Sequence, residues 1–264
     1  MIGLKIVIES QGIYKLFQTT SRIRALIVFL AIMPFVCASA EADPPTPFRA
    51  IYKARFKGFP IGATGVRELQ KQDDGHYVLT SKAYNFLGKI VEQTAFTMDG
   101  DAVLPNEYQY HRTGIGKNRS TVMKFDWKEM LATNELENRT TKLVIPTGTQ
   151  DKLSYQFKLR HDLTRAYEAD EDWPALSYKI DDDGELKEYA FKVVGKEVID
   201  TPIGKFETVK ATRSDGNPNR TTNFWLAPAY EFMLVRFEQT EPDGHGFELL
   251  LRQAEFDGKK ISGK

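Results

Sequence analysis

Four histidines are the side chains of this chain best suited to acid–base or metal chemistry: His76, His111, His161 and His245. His76 and His245 each follow an Asp-Gly pair, where exposed polar residues belong. His161 has no second histidine four residues away, so the helical zinc pair is absent. His111, in Tyr108-Gln109-Tyr110-His111-Arg112, is the strongest of the four. A hydrolase would need it to meet Glu107 or Asp162 in one cleft, which no spacing enforces. No Gly-x-Ser-x-Gly elbow marks an acyl-transfer nucleophile. The acidic run Asp181-Asp182-Asp183-Gly184-Glu185 invites a calcium reading. With Gly184 at loop position 6, Lys179 and Ala190 fall where carboxylates are required, so the EF-hand fails and a solvated hairpin tip is expected. Gly58, Gly62 and Gly65 lead to no Gly-Lys-Ser/Thr, so no phosphate loop is present. Neither a catalytic constellation, a cofactor nor a metal is expected.

The N-terminus carries a different message. Ala25 to Cys37 is an unbroken apolar run behind Arg22 and Arg24, followed by Ala38, Ser39 and Ala40. A basic flank, a short apolar core and small residues at −3 and −1 read as a secretory signal peptide cleaved after Ala40, leaving Glu41 first. The run is short of the roughly 20 residues that a spanning helix needs. Val36 before Cys37 disfavours lipid attachment. Cleavage removes four of 36 basic and one of 36 acidic side chains, leaving a net charge of −3 and no cysteine. That balance argues against nucleic acid as a partner, and it excludes disulfides, thiolate catalysis and thiolate metal sites. The remaining chain is long enough to be held by its core alone.

Beyond Pro47 the pattern has period two. Phe48, Ala50, Tyr52, Ala54 and Phe56 share one face, with Arg49, Lys53 and Arg55 on the other. Similar alternation recurs at Tyr77–Ala83, Tyr108–Arg112, Thr121–Phe125, Tyr189–Val193, Phe206–Arg213, Val235–Gln239 and Phe247–Phe256. Asp-Gly pairs at 74–75, 99–100, 183–184, 215–216 and 243–244 supply the positive φ angles of tight hairpins. The expected fold is all-β in the main, an antiparallel meander forming a barrel or strongly curved half-barrel. One amphipathic helix interrupts it at about residues 150–167, where Tyr155, Leu159, Leu163 and Ala166 recur at helical spacing behind a Thr147-x-x-Gln150 capping box. It is expected to cover the concave side of the sheet. The resulting organisation is a signal peptide at 1–40, a flexible segment at 41–47, one β-rich domain at 48–256 and a tail at 257–264. Trp127, Trp173 and Trp225 are either core or the wall of an apolar cavity. The sequons at Asn118, Asn138 and Asn219 read as turns before strands.

Three segments carry a family resemblance. They are Tyr52 to Ala63 (YKARFKGFPIGA), Thr201 to Lys210 (TPIGKFETVK), and Phe224-Trp225-Leu226-Ala227-Pro228 running into Leu234 to Glu238. Together they resemble a family of exported bacterial proteins known only as domain of unknown function 3108. The resemblance spans about Phe48 to Phe256. It departs at Met233-Leu234, where Leu-Pro would be expected. It implies a periplasmic, β-rich protein and no catalytic residues. By analogy it is similar to the periplasmic lipoprotein carriers, with a helix closing a curved sheet over an apolar cavity. The expectation that follows is a non-enzymatic binding or envelope-maintenance protein holding an apolar, lipid-like ligand, with Tyr52, Tyr110 and Trp225 as ligand-contacting residues. A structural module that binds other envelope proteins along a sheet edge is the alternative.

Overall fold

A computed structural model describes residues 44–57, 62–114, 116–214 and 219–264. The signal-peptide positions Ala38, Ala40 and Glu41, Gly58 and the Asp215-Gly216 turn lie outside the described residues. Residues 41–264 form a compact unit by themselves.

The first half of the meander comprises β1 (Phe48–Lys57), β2 (Gly62–Lys71), β3 (Tyr77–Asn85), β4 (Gly88–Asp99), β5 (Ala102–Gly114), β6 (Arg119–Asp126), β7 (Leu131–Leu136) and β8 (Arg139–Val144). After helix α1 (Ser154–Glu168) come β9 (Leu176–Asp182), β10 (Glu185–Thr201), β11 (Gly204–Ser214), β12 (Thr221–Ala227), β13 (Met233–Thr240) and β14 (Gly246–Phe256). A two-residue β15 (Lys259–Lys260) finishes the chain. Strand order is β8-β7-β6-β5-β4-β3-β2-β1-β14-β13-β12-β11-β10-β9, so the first strand sits mid-sheet beside the last long one. Each half is a sequential meander, and among the described residues only the β1–β14 ladder joins distant sequence. The tail at 257–264 is part of the fold. β15 pairs with β14, and Lys264 exchanges backbone hydrogen bonds with Lys205. Ahead of β1, Thr46 is tied by its amide and hydroxyl to the Glu231 carboxylate.

Bulges curve this sheet. Register shifts fall at Ile51/Tyr52, Ala95/Phe96, Val193/Gly195 and Trp225/Leu226, and each extra residue bends its strand and raises the local twist. Pro105 lies at one of them, where its missing N–H breaks no regular ladder. The edge strands β8 and β9 form no ladder with each other, so the sheet is a curved half-barrel. Its two edges are nevertheless laced by side chains. Asn134 Nδ2 of β7 donates to Asp181 Oδ2 of β9 at 2.7 Å. Arg119 of β6 reaches Asp183 in the β9–β10 turn at 2.5 Å. That turn needs its glycine, because Gly184 has φ 92° and a Cβ there would lie 2.5 Å from Thr141 Oγ1.

The helix fills the concave side. Tyr155, Leu159, Leu163 and Ala166 are buried as the spacing predicts, but so are Phe157, Arg160 and His161. Both flanks therefore touch strands. Phe157 packs on Phe96 of β4 at 4.6 Å between ring centroids, and Tyr155 packs edge-on against Tyr189 of β10 at 5.3 Å. The expected Thr147/Gln150 capping box does not form, and the helix begins at Ser154. Thr149 Oγ1 donates to Pro146 O, and Gln150 makes a parallel bridge to Ile180 while its side-chain Nε2 donates to Val103 O. Asp151 does the capping work instead. Its Oδ1 accepts the amides of Leu153 and Ser154, both at 2.7 Å, while Ser154 Oγ accepts the Asp151 amide.

Candidate functional site

Register divides the inner face of the sheet into two parts. One cross-strand row reads Leu69–Leu79–Thr94–Tyr108–Met123–Asn134, and every member is buried. The next inward-facing row toward the β3–β4 hairpin reads Arg67–Ser81–Glu92–Tyr110–Thr121. Here Ser81, Glu92 and Tyr110 are half-buried. The inner face thus changes from fully sealed to partly open, and gains charged groups, across one step of about 7 Å along the strands.

At this boundary Arg67 is only 9% exposed. Nη1 donates to Gln156 Oε1 of α1 at 2.7 Å, and no ion-pair partner is present among the described residues. Glu92 lies two strands away. Burial pushes its carboxyl above the usual range, against the opposing pull of the Tyr108 hydroxyl, Lys152 and Arg67. Tyr108 donates to Glu92 Oε1 at 2.8 Å, and burial followed by the Glu92 charge raises that phenol well above its ordinary value. Lys152, just ahead of α1, stands 5.7 Å from the Tyr108 ring centroid and 6.0 Å from that of Tyr110. It pairs with Asp183 at 2.6 Å. Arg119 covers the Tyr110 ring at 5.8 Å. On β11 the Arg213 guanidinium lies 4.4 Å from the Tyr189 ring centroid and donates to the Tyr155 hydroxyl at 3.0 Å. Arginine and tyrosine repeatedly meet as cation and ring, an arrangement suited to anionic groups with an apolar body.

The remaining wall of the open part is apolar. Phe56, Phe247 and Phe237 follow one another across β1, β14 and β13, with ring centroids 5.1 and 6.1 Å apart. A cleft of about 140 Å³ borders Phe56, Ala63, Ala83, Ile90 and Arg112. Deeper in, the void between helix and sheet, lined by Phe48, Arg67, Leu79, Leu234 and their neighbours, is about 20 Å³. That is room for one water and for no lipid chain.

The three residues singled out in the sequence do not come together. Tyr52 is buried under the helix, donates to Leu234 O at 2.8 Å, and is pushed up to about 12 by burial. Trp225 faces the opposite way, outward, because Phe224 beside it points in. Its ring lies between Lys210 at 4.9 Å and Arg236 at 4.7 Å, and Nε1 donates to Glu197. Only Tyr110 borders the open part. The hydrolase trio is dispersed as well. His111 meets Ser120 on the outer face, Glu107 accepts from Gln109, and Asp162, on the helix, accepts from Lys158 one turn away and from Tyr178 of β9. His161 is buried beside Asp101 at 3.1 Å, and burial lowers its pKa. Among the described residues no group of three metal-ligating side chains assembles, and no helix is long and apolar enough to cross a membrane. Arg67, Lys152 and Arg213 were missed. The only signal available was a cation on the face that the alternation assigns to the interior, as Arg67 is in Gly65-Val66-Arg67-Glu68-Leu69.

Fold and inner face define a half-barrel with a helix lodged in it and a cation–aromatic open end. The chain belongs to the family described as protein of unknown function DUF3108, whose model matches residues 51–252. No curated protein and no solved structure matches it.

Proposed function

We propose that this protein is a non-catalytic binding protein of the bacterial envelope, exported by the cleaved N-terminal signal, which holds an anionic amphiphile at the open end of its half-barrel. The observation that carries this reading is Arg67. A guanidinium so deeply buried, with a neutral amide as its hydrogen-bond acceptor, costs stability that an apolar side chain would not. An acid group on the ligand would supply a directly hydrogen-bonded counter-charge, which Glu92 provides only from a distance, with the Phe56–Phe247–Phe237 wall taking the adjoining apolar portion. The apolar ligand expected from sequence is thereby moved from beneath the helix, where about 20 Å³ is left, to the open end.

The test is fluorescence titration with a dansylated fatty acid, together with native mass spectrometry of protein purified from the envelope. Saturable binding should weaken at least about tenfold in Arg67→Met, since charge-assisted hydrogen bonds of this kind contribute about 1.5–3 kcal/mol. The melting temperature of that variant should hold or rise. Trp225→Leu, on the outer face, should bind as the wild type does. Absence of saturable binding, or an unchanged Kd in Arg67→Met, would overturn the reading.

A second reading has its own observation. β10 pairs with β9 only as far as Phe191, so Lys192–Thr201 presents a free backbone edge with Val194 and Val198 exposed. Such an edge can accept a strand from a partner protein. Loss of a co-purifying envelope protein on Val198→Lys, with fatty-acid binding intact, would favour this alternative.

A further inference from the structure

The β3–β4 hairpin points an aromatic side chain straight into solvent. Phe86 is 84% exposed and Tyr84 43% exposed. This exposure does not come from a loose loop. Asn85 Oδ1 accepts the amides of Leu87 at 2.8 Å and Gly88 at 3.2 Å, fixing the turn. Gly88 and Gly114 let the tip lie directly against the end of β5, where a Cβ on Gly88 would come within 2.6 Å of Thr113 O. A preformed tip that presents phenylalanine to water exists at the expense of hydration free energy.

The two segments that build it carry charge of one sign. Ser81 to Lys89 and Arg112 to Arg119 contain Lys82, Lys89, Arg112, Lys117 and Arg119 and no acid, in a domain that is otherwise slightly acidic. Lys117 and Arg119 are paired with Glu137 and Asp183. Lys82, Lys89 and Arg112 have no ion-pair partner among the described residues. Lys82 and Lys89 flank an open cleft of about 520 Å³ beside Phe86, Leu87 and Tyr84. Arg112 borders the neighbouring cleft that continues onto the inner face at Ala83 and Ile90.

We infer that this tip docks on the surface of an anionic phospholipid membrane. Phe86 enters the interface between headgroups and acyl chains, while Lys82 and Lys89 hold lipid phosphates in the cleft beneath it. An exposed aromatic inside a ring of unpaired cations is what anionic lipid surfaces recognise: the ring supplies partition energy, and the cations supply attraction that decays within a Debye length. The tip lies at the same end of the half-barrel as the open inner face, so docking would set that opening toward the membrane.

Co-sedimentation of residues 41–264 with vesicles tests this. Phosphatidylethanolamine vesicles containing phosphatidylglycerol should bind the protein at low salt and release it at high salt, and phosphatidylcholine vesicles should bind far less. Phe86→Ala should weaken binding about tenfold. Lys82→Gln with Lys89→Gln should weaken it about twentyfold or more, at roughly fivefold per cation, and flatten the salt dependence. These side chains are at the surface, so melting temperatures should match wild type and loss of fold cannot mimic the result. Saturable binding of the dansylated fatty acid should persist in the Lys82→Gln, Lys89→Gln variant, whose side chains lie outside the inner face, which separates this inference from the inner-face ligand. No binding to anionic vesicles at low salt, equal binding to phosphatidylcholine, or a Phe86→Ala variant that binds unchanged would each overturn it. So would a Phe86-dependent protein contact found without vesicle binding.

Discussion

Asp151 shows how one carboxylate serves both helix and sheet. It accepts two amides at the start of α1 and the Thr94 hydroxyl of β4 at 2.5 Å, all without solvent contact. Burial raises its pKa from 3.8 to about 6, against the lowering effect of those hydrogen bonds. Because the folded value lies above the unfolded one, the native state binds the extra proton between these two values. The stabilisation is present below about pH 4 and is lost as pH rises through about 6, by an amount of the order of 2–3 kcal/mol. Asp151→Asn keeps an acceptor oxygen and removes the titration. The stability difference, wild type minus variant, should therefore fall between pH 4 and pH 7 in denaturant melts, and a flat difference would refute the assignment. At this scale the sequence was only partly legible. Asp151-x-x-Ser154 is as good a capping signal as Thr147-x-x-Gln150, and the choice rests on Thr94, which is 57 residues away. Trp225 and Tyr52 were chosen as aromatic residues in strands. Phe224 and Trp225 are adjacent, and local sequence does not say which of two neighbouring aromatic rings faces inward.

At the level of elements, helix α1 is where packing exceeds what its pattern announced. A one-sided stripe was expected, yet Phe157, Arg160 and His161 on a second flank are also buried. Leu163 is fully buried, so Leu163→Asp would place an unpaired carboxylate in the core. A loss of more than about 3 kcal/mol is expected in urea or thermal melts, the severe end of single substitutions. An unchanged melt would mean that the helix does not depend on the sheet. Strand legibility followed the polarity of the inner face. β1 alternates most cleanly because its inner residues Phe48, Ala50, Tyr52, Ala54 and Phe56 are all apolar or aromatic. β4 escaped notice because Ile90, Glu92, Thr94 and Phe96 face in while Val91 and Ala95 face out, which blurs the contrast on which period-two reading depends. β7 escaped notice too, with Asn134 facing in between Ala132 and Leu136.

For the whole molecule, a single cysteine at position 37 leaves residues 41–264 without a thiol. Thermal melts of residues 41–264 should coincide with and without reductant, and if the proposed export holds, N-terminal sequencing of protein recovered from the envelope should begin at Glu41. A Met1 terminus in the membrane fraction, or a reductant-dependent melt, would contradict the proposed processing. The class of fold was legible in local pattern: alternation marks strands, Asp-Gly marks hairpins, and a stretch of helical spacing falls between two sets of strands. These are properties of neighbouring residues, and backbone sterics act on them locally. Tertiary structure alone decided that the helix fills the half-barrel instead of roofing a cavity, and that Arg67 stands at the border of the open part. The contact that establishes both, Arg67 to Gln156, joins residues 89 apart in sequence. Such a contact is set by the summed register of the strands and the curvature of the sheet, so no local pattern encodes it.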